Sequence, residues 1–194
     1  MIAFVRGQFV QKQPARVVVD VNGVGYDLQI SLHTYSAIVN KDAGQLHTYL
    51  HITENAQTMF GFAELDEKEI FLQLISVSGV GAATARMMLS GMKPDEIAKA
   101  IVQGNTKQLE SIKGIGKKSA ERLIVELRDK LGKHQSEHTI GGFQQALPHY
   151  DAVVALVSLG IAKPMAEQAV KKAIAINPEP VALEDLIKNA LKNL

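Results

Sequence analysis

The chain contains no cysteine, and that absence removes whole classes of function at once. No disulfide framework, thiolate nucleophile, or cysteine-held zinc or iron–sulfur centre can be built. No apolar run approaches the length of a membrane span, and residues 1–6, Met-Ile-Ala-Phe-Val-Arg, lack the layout of a secretion signal, so a cytoplasmic location and no membrane partner are expected. No Gly-x-x-x-x-Gly-Lys-Ser/Thr loop is present, so the chain is not expected to hydrolyse ATP itself. A large excess of charge is lacking too. The net charge is +1, which rules out a general basic coat as the basis of binding.

What charge there is lies unevenly. Residues 106–133 carry eight Lys/Arg against four Asp/Glu, whereas 64–105 carry four against six. Residues 1–63 balance, and 134–194 are slightly acidic. A local basic patch of this kind suits a phosphate contact. The length of 194 residues and the 46% hydrophobic content suit a globular protein of two or three small domains with real cores.

Within and ahead of the basic stretch one motif is written twice, 35 residues apart: Val77-Ser78-Gly79-Val80-Gly81-Ala82-Ala83-Thr84-Ala85 and Ile112-Lys113-Gly114-Ile115-Gly116-Lys117-Lys118-Ser119-Ala120. Both read apolar–x–Gly–apolar–Gly–x–x–Ser/Thr–Ala, and each falls between two helix-like runs. A Gly-apolar-Gly hairpin lets the main chain approach a ligand closely. The helix after it presents unbonded N–H groups and the positive end of its dipole to an anion. With Lys117, Lys118 and Arg122 beside the second copy, the expected anion is a nucleic-acid phosphate. A single such turn has a bland reading as an ordinary helix connection; two in matching context outweigh it. The candidate DNA-binding residues are Ser78, Gly79, Val80, Gly81, Thr84, Gly114, Ile115, Gly116, Lys117, Lys118, Ser119 and Arg122. The first copy has Ala82-Ala83 where the second has Lys117-Lys118, so it must rely on backbone amides, Ser78 and Thr84.

Around these hairpins the chain changes character. Residues 1–63 read as short strands: 2–6, the alternating Val17, Val19 and Val21, an Asn22-Gly23 turn, the alternating Tyr26, Leu28 and Ile30, then 46–53 and 58–62. Five or six strands in this length suggest a small closed barrel. From Leu65 the period is helical, with an apolar face Ile70, Phe71, Leu74 and Ile75. Helices are expected over 82–90, from Pro94, around 106–111 and over 117–131, giving two helix–hairpin–helix units joined by one helix. The polar, Gly-Gly-containing stretch near 133–149 reads as a flexible linker. Three short helices follow, from Tyr150, Pro164 and Leu183, forming a unit small enough to keep an apolar surface for a partner. The expected domains are 1–63, 64–133 and 149–194, with 134–148 as the linker.

Other features weigh less. His47/His51 and His134/His138 are spaced i,i+4, but neither segment reads as a helix and no cysteine or carboxylate cluster completes a ligand set, so no metal site is expected. The charged run 64–69 reads as the solvated start of a helix. Glu54, at the tip between two strands, would ordinarily be a solvated loop acid; facing phosphates, its use would be repulsion.

In order and spacing, these pieces resemble the RuvA family, the Holliday-junction-recognising subunits of the bacterial branch-migration motor. The resemblance runs through Val24-Gly25-Tyr26, Gln57 with Phe60-Gly61-Phe62, both hairpins, Ala120-Glu121-Arg122-Leu123 and the C-terminal helices, and so covers the whole chain. It implies an OB-fold barrel, a tandem helix–hairpin–helix domain, a flexible linker and a small three-helix domain that contacts the hexameric ATPase RuvB. It further implies a homotetramer or an octamer of two tetramers, a role in recombination and repair of damaged DNA, and the resolving nuclease RuvC as a further partner. No cofactor and no catalytic site are implied. Glu54-Asn55 is similar to the family's acidic pin, which usually carries two adjacent acids; here the second is Asn55. Ala83 stands where some members carry a basic residue. Leu159, Gly160 and Ile161, an apolar loop between helices, are the candidate motor contact.

Two other classes compete. A helix–hairpin–helix DNA glycosylase/lyase could place a nucleophilic lysine at Lys118, but it needs a catalytic aspartate in a following segment and a base-flipping pocket. The next aspartate, Asp129, falls between Arg128 and Lys130 at the end of the same helix. A non-specific OB-fold single-strand binder needs stacking aromatics. Only 5% of the chain is aromatic, and Tyr26, Phe60 and Phe62 fall on strands where core burial is expected.

Overall fold

The computed structural model describes residues 1–138, 148–176 and 182–194. These divide into two compact units, Met1–Ser136 and Glu137–Leu194.

The first unit begins with a closed barrel of five strands in the order β1-β2-β3-β5-β4. The strands are β1 (Phe4–Gln13), β2 (Arg16–Val21), β3 (Val24–Ile30), β4 (Ala43–Ile52) and β5 (Gln57–Phe62). Alternation places Val17, Val19, Leu28 and Ile30 inside, with Val5, Phe9 and Leu46. Asn22 and Gly23 both take positive φ, 52° and 87°, the twist that a two-residue hairpin between right-handed strands requires. β1 runs well beyond the expected 2–6 and carries a bulge between Phe9 and Gln11. That extra length lets one strand pair with β2 on one side and with β4 on the other, which closes the barrel.

A short helix, α1 (Leu32–Ile38), was not expected. Ser31 caps it by accepting from Thr34 N at 3.0 Å. The crossover through α1 and β4 makes β3 and β5 parallel neighbours.

Five helices follow: α2 (Leu65–Ile75), α3 (Ala82–Gly91), α4 (Pro94–Val102), α5 (Thr106–Glu110) and α6 (Lys117–His138). Their buried core includes Phe71, Leu74, Met88, Leu89, Ile97, Ile101, Leu109, Leu123 and Leu127. Phe60 and Phe62 of β5 belong to this helical core as well, with ring centroids 5.0 and 4.9 Å from Phe71. Strand thus gives way to helix within one packed unit.

Two expectations need correction here. The run 64–69 is not wholly solvated: Glu67 is fully buried. Its carboxyl accepts from Thr34 Oγ1 at 2.6 Å and from Ser31 Oγ, because α2 lays its first turn across α1. In addition, α6 continues through His138 instead of ending near 131. His134 and His138 therefore share a helix, and of the stretch expected as linker, helix occupies 134–138 and begins again at Pro148; residues 139–147 lie outside the described residues.

The second unit packs α7 (Pro148–Ser158), α8 (Lys163–Ile176) and α9 (Leu183–Lys192) around Ala152, Leu156, Ala166, Ala169, Val170, Ala173, Leu186 and Ala190. Its alanine-rich core lets short helices approach closely. No helix among the described residues is long and apolar enough to cross a membrane.

Candidate nucleic-acid interface

Each glycine hairpin is a tight turn closed by one backbone bond, Val80 N to Val77 O at 3.0 Å and Ile115 N to Ile112 O at 3.0 Å. The third residue of such a turn needs positive φ, and Gly79 and Gly114 supply it at 89° and 94°. Val77, Val80, Ile112 and Ile115 are all buried, so the motif's apolar positions root the turn while its glycines stay exposed. The following helices start at the same point: Ala85 N bonds Gly81 O at 2.9 Å and Ala120 N bonds Gly116 O at 3.0 Å. Gly81 brings no side-chain cap to α3, which leaves the first-turn N–H groups to solvent or an anion.

The repeat extends beyond the motif. Ser76 Oγ donates to Gln73 O at 2.7 Å, and 35 positions on Ser111 Oγ donates to Gln108 O at 2.7 Å. Leu74 and Leu109 are both fully buried, as are Ala85 and Ala120. The two helix–hairpin–helix units therefore match at these positions around their turns, with α4 between them.

Their surfaces differ in charge. Lys113, Lys117 and Lys118 are exposed at the second hairpin and enter no ion pair among the described residues. At the first hairpin Ala82 is buried and Ala83 exposed, while Ser78 is exposed and Thr84 half-buried, as Ser119 is in the second copy. Arg122 reaches the first hairpin. Its Nη1 donates to Ser78 O at 3.0 Å, and its Nε lies 3.9 Å from Glu126 Oε1.

Glu54 and Asn55 are exposed in the turn between β4 and β5. The turn is closed by Thr53 N to Ala56 O at 2.9 Å and begins beyond the last strand pair, Ile52 with Gln57. In the C-terminal unit, Leu159 is 65% exposed, Gly160 takes φ 93°, and Ile161 packs partly onto the local core.

The rival constellations fare poorly. Lys118 and Asp129 stand eleven residues apart on the single helix α6, about 16 Å at a helical rise. Phe60 and Phe62, buried at 5% and 2%, offer no open stacking face, and Tyr26 is half-buried against the barrel core. No group of three or more His, Asp or Glu among the described residues is placed to hold a metal ion.

Three residues that the sequence did not mark as site candidates tie neighbouring elements together. Arg86 Nη1 donates to Ala15 O at 3.0 Å and to Gln29 Oε1, tying α3 to the barrel. Arg128 Nε donates to Val102 O at 2.9 Å, holding the end of α4. Glu67 gathers α1 and α2. Its carboxyl is pushed above its ordinary value by burial, against the opposing pull of the Ser31 and Thr34 hydroxyls, the His33 charge and the Ala63 N–H. No local pattern announces such long-range partners.

Comparison with known proteins gives matches along most of the chain. Residues 1–61 match the RuvA N-terminal domain, 71–129 a SAM-like helix-hairpin-helix tandem, and 148–194 the RuvA C-terminal domain. Among curated relatives, the Holliday junction branch migration complex subunit RuvA of Cytophaga hutchinsonii is 43% identical over 99% of both chains. The protein of the same name from Flavobacterium psychrophilum is 45% identical over 100% of both. That from Thioalkalivibrio sulfidiphilus is 42% identical over 99% of this chain and 98% of its own.

Proposed function

This chain belongs to the RuvA family, and on that premise we propose that it is the junction-binding subunit of a Holliday junction branch-migration complex in recombination and repair. The observation that carries the reading is the matched pair of hairpins, each presenting backbone N–H groups on a rooted turn. Contacts of this kind read the phosphate backbone and not the bases, which suits migration through any sequence. The phosphate ligands are the amides and small side chains at Ser78, Gly79, Val80, Gly81 and Thr84 and, in the second copy, Gly114, Ile115, Gly116 and Ser119 with the Lys117 and Lys118 ammoniums.

A four-way junction has near-fourfold symmetry, and a closed homotetramer in the cytoplasm presents both hairpins to each arm. Four pins around the axis place Glu54 opposite the crossover phosphates, where repulsion keeps separated strands from reannealing. The labour divides along the chain: 1–63 carries the pin, 64–133 grips the arms, and 149–194, joined by 134–148, docks the hexameric ATPase RuvB through the loop containing Leu159, Gly160 and Ile161. RuvC, which resolves junctions, shares the same DNA.

The test is a gel-shift comparison of a four-way junction with a linear duplex of equal length. Junction binding should be tighter by orders of magnitude, because several weak contacts engage together. Equal affinity at moderate salt would overturn the reading.

A further inference from the structure

We propose that Lys113 is a further phosphate ligand, standing on the turn of the second hairpin itself and gripping the DNA backbone together with Lys117 and Lys118; the proposal deepens the junction-binding reading and rests on it. The turn runs through Ile112, Lys113, Gly114 and Ile115 and is closed by Ile115 N to Ile112 O at 3.0 Å. Ile112 and Ile115 are buried, and Gly114 has no side chain. Lys113 therefore supplies the single side chain on the outer edge of the turn, and it is exposed. It enters no ion pair among the described residues. The first turn of α6 follows within four residues, so the chain enters the anion site past one lysine and leaves it past two.

The internal repeat separates what the fold needs from what a ligand needs. Thirty-five positions before Lys113 stands Ser78, in a turn of the same form. That turn is closed by Val80 N to Val77 O at 3.0 Å, and its Gly79 takes φ 89° against 94° at Gly114. Serine and lysine thus fill one place in two turns of one geometry, so the turn itself does not require an ammonium. The two positions after the glycines repeat the contrast, with Ala82 and Ala83 matching Lys117 and Lys118. At all three places the second copy carries a positive charge where the first carries a small neutral residue.

The two hairpins therefore grip differently. The first has no charged residue on its own turn and borrows Arg122, whose Nη1 donates to Ser78 O at 3.0 Å and which keeps other donors for a phosphate. The second carries its charge on the turn and on the helix after it. Lysines elsewhere are tied into the fold: Lys12 Nζ donates to the carbonyls of Val39 and Lys41, and Lys99 pairs with Asp95 at 3.3 Å. An ammonium left outside such contacts is a compact point charge on a flexible stem, able to follow a phosphate without fixing its orientation.

The experiment measures the affinity of the full chain for a four-way junction across a salt series. The variants are Lys113→Ser, the residue of the matching position, Lys113→Arg, and Lys99→Ser as a control for lost charge. Lys113→Ser should weaken binding at low salt and flatten the log–log slope by about 0.9 for each subunit engaged. Its deficit should then shrink by about three- to fourfold per subunit over an about fourfold rise in salt. Lys113→Arg and Lys99→Ser should both keep the parent slope. An equal drop in Lys99→Ser would show a response to net charge alone and overturn the proposal. Urea unfolding of Lys113→Ser should match the parent, since serine already fits the twin turn. A loss of stability with an unchanged slope would make Lys113 structural, and an unchanged slope with unchanged stability would make it plain surface; either result overturns the proposal. Running the series on a linear duplex separates this proposal from the reading beneath it. Phosphates are common to both DNAs, so the slope change should appear on the duplex as well. A parent chain that binds both DNAs equally would sink the junction reading and leave the Lys113 result standing.

Discussion

Replacing Glu67 by alanine should destabilise the first unit far more than its place in a charged run suggests. The Ser31 hydroxyl accepts from Thr34 N at 3.0 Å and donates to Glu67. The Thr34 hydroxyl accepts from Ala63 N at 2.9 Å and donates to Glu67 at 2.6 Å. Each hydroxyl has one proton, and both protons are directed at this carboxyl. Alanine leaves two buried donors without an acceptor, at about 1–3 kcal/mol each. Relief of the buried carboxylate offsets part of that, so the expected loss is about 2–4 kcal/mol, a fall in Tm of about 5–15 °C for a chain of this size. Glutamine keeps one acceptor oxygen and offers a donor to a hydroxyl that must turn, and should cost less, about 1 kcal/mol. The pH dependence has a definite sign. Because burial raises the folded-state pKa, the folded chain holds the proton more tightly than the unfolded chain. Stability from this group is therefore greatest with the proton bound. It falls as pH rises from the ordinary carboxylate value, about 4.3, through the raised one, and is level above it. The stability gap between the parent chain and Glu67→Gln should narrow over that window. Urea unfolding followed by circular dichroism at a series of pH values measures both effects. A loss below about 0.5 kcal/mol for Glu67→Ala, within the range of ordinary surface substitutions, would refute the reasoning, as would a gap that widens with pH.

The glycines of the hairpins should separate by role. Gly79→Ala or Gly114→Ala forces a β-carbon into positive φ, at 89° or 94°, and should cost about 1–2 kcal/mol in urea unfolding. Gly81→Ala and Gly116→Ala meet nothing within 4 Å and should leave stability unchanged, yet weaken junction binding in gel shifts by holding phosphate off the amides. Lys117→Ala with Lys118→Ala should weaken binding and flatten its salt dependence by about 0.9 in log–log slope for each phosphate that the two ammoniums had neutralised; an unchanged slope would make them plain surface. Glu54→Gln should tighten junction binding at low salt, with the gain shrinking as salt rises, since repulsion between partly solvated charges is about 1–4 kcal/mol per pair before screening. Asn55→Asp should do the opposite, and tighter binding by it would remove the pin assignment.

The barrel and hairpins were legible because their signals are local. Alternating Val17, Val19 and Val21, the Asn22-Gly23 turn and the doubled Gly-apolar-Gly each dictate geometry within a few residues. The features that were not legible depend on partners distant in sequence. α1 has only seven residues and one cue, the cap Ser31. Glu67 looks like any acid in a first helical turn until α1, which lies 33 to 36 residues away, is folded against it. Arg122 reads as a cation beside two lysines, and only folding carries it 44 residues back to Ser78. The end of α6 is hidden for another reason. Polar residues past Leu131 continue a helix as readily as they begin a loop, and no proline or positive-φ glycine stops it before His138.

The strand β5 serves two structures at once. One end, Gln57, closes the turn that bears Glu54, and the other, Phe60 and Phe62, is locked into the helical core beneath the hairpins. Six residues of strand, about 20 Å, thus act as a gauge between the Glu54 turn and the hairpin-bearing helices. A gauge of this kind tolerates no change in length. Inserting one residue between Gln57 and Phe60 would turn both phenylalanines away from the helical core and toward the barrel interior, since a strand alternates faces with every residue. The offset between the exposed Glu54 turn and the two hairpins is then set by one short strand that both structures share.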